Sequence, residues 1–138
     1  MDRQMIDIDA SKMLKEANLR PTKQRVSLVA NIYKYGNRHV SAESLHKEIL
    51  DTGYNVSLAT VYNTLHHLTN LGFLRQVKIN AKQNYFDTNI TDHHHFFDKS
   101  NNSLIDISKD LIKIQGIPNP PKNKIVSDIE LIISIKNK

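Results

Sequence analysis

The chain has 138 residues, with 19 Lys and Arg against 14 Asp and Glu, seven His and no cysteine. The length suits one medium domain or two very small ones, and the absence of cysteine excludes disulfides, thiolate metal sites and cysteine nucleophiles. No apolar run approaches the roughly 20 residues needed to cross a bilayer, and MDRQMIDIDASK lacks the apolar core of a signal peptide; a cytoplasmic location with no membrane partner is expected. The positive charge sits in the first half. From Lys12 to Lys78 ten basic residues face four acidic ones, a balance of +6, whereas Lys82 to Lys138 holds eight against seven, or +1. The first half therefore carries the basic surface of a polyanion binder.

The apolar period changes near residue 73. Before it the pattern predicts four helices. Ile8, Met13, Leu14 and Ala17 form one face of a first helix ending near Asn18. Thr22 caps a second after Pro21, with Val26, Val29, Ala30 and Tyr33 at helical spacing until Gly36. Ser41 caps a third, Glu43 favours its positive dipole end, and Leu45, Ile49 and Leu50 form its apolar face up to Gly53. Ser57 caps the fourth, whose Leu58, Val61, Leu65 and Leu68 make a buried stripe closed by Gly72.

Strands follow. FLRQVKI (Phe73–Ile79) and NYFD (Asn84–Asp87) flank a polar Asn-Ala-Lys-Gln turn and read as a hairpin, giving a winged-helix arrangement. Next come HHHFFD, SLIDI, a helical SKDLIKIQ, the Pro-rich loop GIPNPP and KIVSDIELIISIK. In that last run Ile125, Ser127, Ile129, Leu131, Ile133 and Ile135 share one face of a long, half-buried strand. That strand fits either a dimer interface or burial within one chain. The fold class is α+β, with a winged-helix DNA-binding domain over residues 1–88 and a small α/β dimerisation and sensor domain over 89–138.

The fourth helix opposes its apolar stripe with Ala59, Thr60, Asn63, His66, His67 and Asn70, flanked by Tyr62, and contains no acidic residue. Ser57 and Thr60 at an uncompensated N-terminus suit a phosphate. Asn63 can offer a bidentate amide to adenine, and Tyr62 can pack on a thymine methyl or bond a phosphate. Arg20, Lys23 and Arg25 flank the second helix as backbone or minor-groove contacts. The bland alternative is a neutral amphipathic helix.

In HHHFFD, strand alternation puts His93 and His95 on one face about 7 Å apart, with His94 on the other. Asp87 and Asp106 are the nearest acidic candidates, and His39 lies in the loop before the third helix. Such a nitrogen and oxygen set suits Zn²⁺, Mn²⁺ or Fe²⁺. Binding needs neutral imidazoles and is expected to weaken below about pH 6. Surface imidazoles are the alternative. Phe96 and Phe97 suit a porphyrin wall or, more simply, a core.

LRPTKQR (Leu19–Arg25), HVSAESLHKEI (His39–Ile49), VSLATVYNTLHHLTNLGFL (Val56–Leu74) and YFDTNITDHHHFFD through SLIDI resemble the ferric uptake regulator family, closest to its iron response regulator branch. The resemblance covers about residues 8 to 107. It implies a homodimeric winged-helix repressor on inverted-repeat double-stranded DNA operators, controlling iron or heme homeostasis, with a metal between its two domains. His39, Asp87, His93, His95 and Asp106 match the family's sensor ligands, with Asp87 where Glu is usual. An ungapped alignment would put His94 in place of His93. Asp98 and Asn101 stand where the family has its first CxxC pair, so a structural four-cysteine zinc site is absent. The branch's HHH implies a heme alternative with His94 as a ligand; a manganese- or zinc-responsive repressor is a further alternative. A constitutive DNA-binding protein and a metal-dependent hydrolase compete, but the hydrolase lacks HExxH and HxxEH motifs and a spare general base.

Overall fold

The protein is described from a computed structural model covering residues 3–34 and 36–138, with the side chains of residues 3–9 left aside. Ile8, expected on the first helix's buried face, therefore has its side chain outside the described residues. The chain divides into two compact units, 1–90 and 91–138.

The first unit contains α1 (Arg3–Glu16), α2 (Lys23–Tyr33), β1 (His39–Val40), α3 (Ala42–Asp51), α4 (Leu58–Asn70), β2 (Arg75–Lys78) and β3 (Asn84–Asp87). The helix starts follow cap chemistry. The Thr22 hydroxyl accepts from the Arg25 N–H at 3.3 Å, and Ser57 accepts from Thr60 N–H at 3.1 Å. Ser41 and Ser44 close a reciprocal capping box at the head of α3. Such a cap contributes about 1 kcal/mol. Gly72, at φ 82°, turns the chain after α4 in a conformation that other residues adopt only with strain.

α1 packs on α2, α2 on α3 and α3 on α4. Leu14, Leu28, Ile32, Leu45, Ile49 and Leu65 are buried at their junction. Truncating one such leucine to alanine typically costs 2–5 kcal/mol, on the order of a third of a small domain's stability. Leu50, expected on the apolar face of α3, is instead 44% exposed. It lies past the edge of the stripe that Leu45 and Ile49 fill, so the helix's rotation carries it out to solvent. The Tyr33 hydroxyl at the end of α2 donates to the Phe73 carbonyl at 3.2 Å, and burial pushes its pKa up to about 12.

The wing has three strands in the order β1-β3-β2, all antiparallel. β1 places His39, expected in a loop, on a strand opposite Asp87. Arg38 anchors that strand. Its guanidinium bonds both Glu48 carboxylate oxygens, at 2.6 and 3.3 Å, and the Asn31 carbonyl at 3.3 Å.

In the second unit β4 (His93–Asp98) is central, antiparallel to β5 (Ser103–Ser108) and parallel to β6 (Ile132–Ile135). Two expectations fail here. The helix expected over SKDLIKIQ is a single 3-10 turn at Lys109–Leu111. Its apolar residues do not share a helical face: Leu111 is 78% exposed, while Ile112 and Ile114 are half-buried with exposed Lys113 between them. The long strand expected over KIVSDIELIISIK is four residues, and Ile125 on its supposed inner face is 89% exposed. The ladder with β4 ends at Leu131, whose carbonyl still accepts the His95 N–H but whose own N–H goes to the His94 side chain.

Candidate metal centre and nucleic-acid surface

On α4 the apolar stripe buries Val61, Leu65 and Leu68 completely, and the opposite side leaves Ala59, Asn63, His66 and Asn70 exposed. Asn63 is therefore presented to solvent. His67 is drawn back, its Nδ1 lying 3.3 Å from the Ala17 carbonyl at the end of α1. Tyr62 is engaged within the unit. Its hydroxyl donates to Glu43 Oε1 on α3 at 2.6 Å, and its ring stacks on His66, which meets Phe86 edge-on. The bond to Glu43 first, then burial, raises the Tyr62 pKa. From sequence Glu43 reads only as a dipole partner for α3; the structure adds its bond to Tyr62.

The N-termini of α2 and α4 open on one cavity of about 260 Å³ lined by Thr22, Gln24, Arg25, Asn55, Ser57 and Thr60. Neither helix has an acid in its first turn, so the partial positive charge of both ends is uncompensated. The Arg25 guanidinium lies beside it, bonding the Arg20 carbonyl at 3.2 Å through one terminal nitrogen, with Nε buried and unbonded. Arg20 and Lys23 are exposed alongside. Three sequence-predicted residues, Arg25, Ser57 and Thr60, thus gather where two helix ends favour an anion, while Lys23 lines a separate cavity with Pro21 and Tyr54. A second groove of about 440 Å³ runs between α4 and the wing, from Tyr62 and His66 to Gln76, Lys78, Asn80 and Asn84. The wing residues of this groove were not singled out by sequence, because a hairpin turn of Asn, Lys and Gln has the composition of any exposed turn.

The titratable cluster falls into two sets. In the first unit His39 Nε2 lies 3.1 Å from Asp87 Oδ2, and Asp87, only 1% exposed, also accepts the Asn89 N–H through Oδ1 at 2.9 Å. In the second unit His93 and His95 project from one face of β4, with ring centroids 4.4 Å apart. Both Nε2 atoms lie 3.2 Å from Asp106 Oδ1, on β5 opposite His95. The ligand atoms of His93, His95 and Asp106 fall within 4.8 Å of one another.

Hydrogen bonding fixes what these atoms are. The Thr91 carbonyl, 2.6 Å from His93 Nδ1, can only accept, so Nδ1 carries a proton and Nε2 is the nitrogen that a cation beside Asp106 would take. Two imidazole nitrogens and a carboxylate oxygen converging in this way suit a cation. With no sulfur among them, they fit Zn²⁺, Fe²⁺ or Mn²⁺. Glu130, absent from the sequence-based set, reaches His95 Nδ1 at 3.2 Å. Nothing in KIVSDIELIISIK distinguished it from Asp128.

His94 points the other way, as strand alternation requires. Its Nδ1 accepts the Leu131 N–H at 2.9 Å, so the neutral ring carries its proton on Nε2. It lines a cavity of about 300 Å³ with Asp92, Asp110, Asp128 and three isoleucines. Three carboxylates against one lysine, Lys109, are a poor surround for the two propionates of a porphyrin, and Phe97 is buried. Among the described residues, no helix is long and apolar enough to cross a membrane.

Comparison with known proteins agrees with this arrangement. The model of the ferric uptake regulator family matches residues 16–132. The ferric uptake regulation protein of Shigella flexneri is 31% identical over 106 residues, covering 76% of this chain and 72% of that protein. The crystal structure of the Vibrio cholerae ferric uptake regulator has a TM-score of 0.71 at 23% identity, covering 92% of this chain and 98% of that one. A zinc uptake regulator in complex with zinc and DNA has a TM-score of 0.56 at 14% identity, over 99% and 92% of the two chains. The winged-helix head followed by a small sheet domain is the fold of these structures. Members of the matched family are metal-responsive transcription regulators, which removes the hydrolase alternative. A helical head whose fourth helix is free of acid, a histidine-rich strand whose ligand atoms converge with a carboxylate and a family match across most of the sequence lead to one conclusion: the chain belongs to the ferric uptake regulator family.

Proposed function

We propose that the protein is a cytoplasmic, homodimeric repressor of iron homeostasis genes, whose affinity for an inverted-repeat DNA operator is set by Fe²⁺ or Mn²⁺, with Zn²⁺ as the ion taken in vitro. The observation that carries this reading is the convergence of His93 Nε2, His95 Nε2 and Asp106 Oδ1. Three ligands leave a first-row ion short of the four to six it takes. The resemblance to the family supplies His39 and Asp87 as the remaining ligands, and their pairing at 3.1 Å supports them as a ready-made nitrogen and oxygen pair.

On the DNA side, Asn63 serves as base reader. Ser57, Thr60, Arg20, Lys23 and Arg25 hold backbone phosphate at the two helix ends, and the ring of Tyr62 offers its flank to a thymine methyl. Two copies would set their α4 helices in successive major grooves about 34 Å apart. The row Ile105, Phe96 and Ile133 runs across the second unit's sheet, with Ile105 48% and Ile133 40% exposed, which supports self-association through this unit. A heme at His94 is the weaker reading, given the acids around that ring and its Nε2 proton.

The test is operator affinity by fluorescence anisotropy at fixed salt, for metal-free protein and then with Mn²⁺ or hemin. Mn²⁺ should change affinity at least about tenfold, which needs only about 1.4 kcal/mol of differential binding. A gain identifies a corepressor and a loss identifies release by the ion. The His93→Ala, His95→Ala double variant should lose the response and keep its fold. An unchanged response in that variant removes the site from the proposal, and a response to hemin alone replaces the metal with heme.

A further inference from the structure

His95 is held at both ring nitrogens. Nε2 faces Asp106 Oδ1 at 3.2 Å, beside the same approach by His93, while Nδ1 faces Glu130 Oε1 at 3.2 Å. The His95 side chain is fully buried, so these contacts and not solvent set its orientation. The two nitrogens of an imidazole point in diverging directions. A carboxylate on the Nδ1 side therefore cannot ligate an ion held at Nε2. An ionised carboxylate only accepts, and one faces each nitrogen; with a cation between Nε2 and Asp106, Nε2 gives its lone pair to the ion and the ring's proton stays on Nδ1, donated to Glu130. At His93 the Thr91 carbonyl does the same.

Glu130 is itself fixed in place. The next residue, Leu131, donates its N–H to His94 Nδ1 at 2.9 Å and accepts the His95 N–H at 3.1 Å through its carbonyl. The middle histidine of the three thus holds the backbone that carries Glu130, and the outer two face Asp106. The Glu130 side chain is only 22% exposed, unlike a freely swinging surface acid.

We propose that Glu130 is a positioning residue for the metal site. By accepting the Nδ1 proton of His95 it fixes the tautomer in which Nε2 is a ligand, holds the ring toward Asp106 and strengthens Nε2 as a donor. This rests on the reading of His93, His95 and Asp106 as metal ligands. Removing an outer partner of a ligating histidine typically lowers metal affinity 10–100-fold.

The experiment compares the full chain with Glu130→Gln, whose amide oxygen still accepts, and Glu130→Met, which keeps the volume and loses the strong acceptor. Co²⁺ is titrated by its visible d–d absorption, and histidine tautomers are read in the metal-free protein by ¹⁵N NMR. Glu130→Met should bind Co²⁺ about 10–100-fold more weakly and lose the fixed Nδ1–H signature of His95. Glu130→Gln should keep the signature and recover most of the affinity. Thermal melts establish that both variants fold; if Glu130→Met does not, loss of the His95 signature in Glu130→Gln overturns the proposal and its retention upholds it. Equal Co²⁺ affinity and an unchanged tautomer in folded Glu130→Met overturn the role of Glu130 while the metal site stands. No Co²⁺ binding by the unaltered chain instead overturns the metal site, and the role of Glu130 with it.

Discussion

The Tyr62 hydroxyl on α4 donates to Glu43 Oε1 on α3 at 2.6 Å, joining the fourth helix to its neighbour. A phenol engaged in this way has little left for a phosphate, although its ring remains available to a base edge. Tyr62→Phe should therefore leave operator affinity within about threefold, or roughly 0.6 kcal/mol, in an anisotropy titration. A loss beyond about tenfold would mean that the hydroxyl leaves Glu43 for DNA. Because the Glu43 bond is the first cause of the raised Tyr62 pKa, Glu43→Gln should bring that group back down in an ultraviolet titration.

Arg25 and Asn63 should separate affinity from sequence reading. Arg25 borders the cavity shared by two helix N-termini, so Arg25→Ala should weaken binding to operator and scrambled DNA alike. It should also flatten the plot of log K against log salt by about 0.9, the slope for one phosphate contact. Asn63→Ala should cost about 1–3 kcal/mol on the operator and little on scrambled DNA, with the salt slope unchanged. Equal losses on both DNAs for Asn63→Ala would remove it as a base reader.

Arg38 holds three elements at once: the end of β3 through backbone bonds with Thr88, α3 through Glu48, and the end of α2 through the Asn31 carbonyl. Bidentate, partly sheltered pairs of this kind outperform isolated surface ion pairs. Arg38→Ala should lower stability by about 1–2 kcal/mol in urea unfolding, with an unaltered m-value. Lysine cannot form the fork, so Arg38→Lys should recover less than half of the loss. Full recovery by lysine would reduce the contact to simple charge.

Tyr33 gives the fold an alkaline limit. Its folded pKa of about 12 lies above the ordinary value of 10.0, so the folded state holds the phenolic proton more tightly. The associated stability is fully present below pH 10 and is lost as pH rises from there through about 12. Two units correspond to roughly 2–3 kcal/mol at most. Tyr33→Phe should remove this alkaline slope while costing about 1 kcal/mol at neutral pH through the lost bond to Phe73. A slope that survives in Tyr33→Phe assigns it to another group.

The legible parts of the sequence were those where one periodicity meets one partner. Val61, Leu65 and Leu68 repeat at helical spacing and are buried as that spacing demands, and Thr22, Ser41 and Ser57 announce their helices by local cap chemistry. Alternation along HHHFFD was enough to separate His94 from its neighbours. The pairing of His39 with Asp87 was not legible as a strand register, because two residues carry no period and β1 exists only through β3. Beyond Ser108 local pattern misled. Ile112 and Ile114 fit a helix or a strand on paper, and β6 stops short because the Leu131 N–H is taken by the His94 side chain, a contact no local pattern announces. Glu130 was hidden for the same reason: its partner lies 35 residues away, and only the parallel register brings them together.

The sheet of the second unit ends in β5 on one side and β6 on the other. An outer strand offers its outward backbone groups to any extended chain, and proteins commonly guard such strands with charge. β6 is followed at once by Lys136, but within SLIDIS the single charge is Asp106, which is turned toward His93 and His95. The β5 margin is thus weakly guarded against adding a strand. Concentrated preparations, above all of an isolated fragment spanning 91–138, should be prone to ordered aggregation that begins along Ser103–Ser108, and a lysine at exposed Ile105 is the substitution most suited to keeping them in solution.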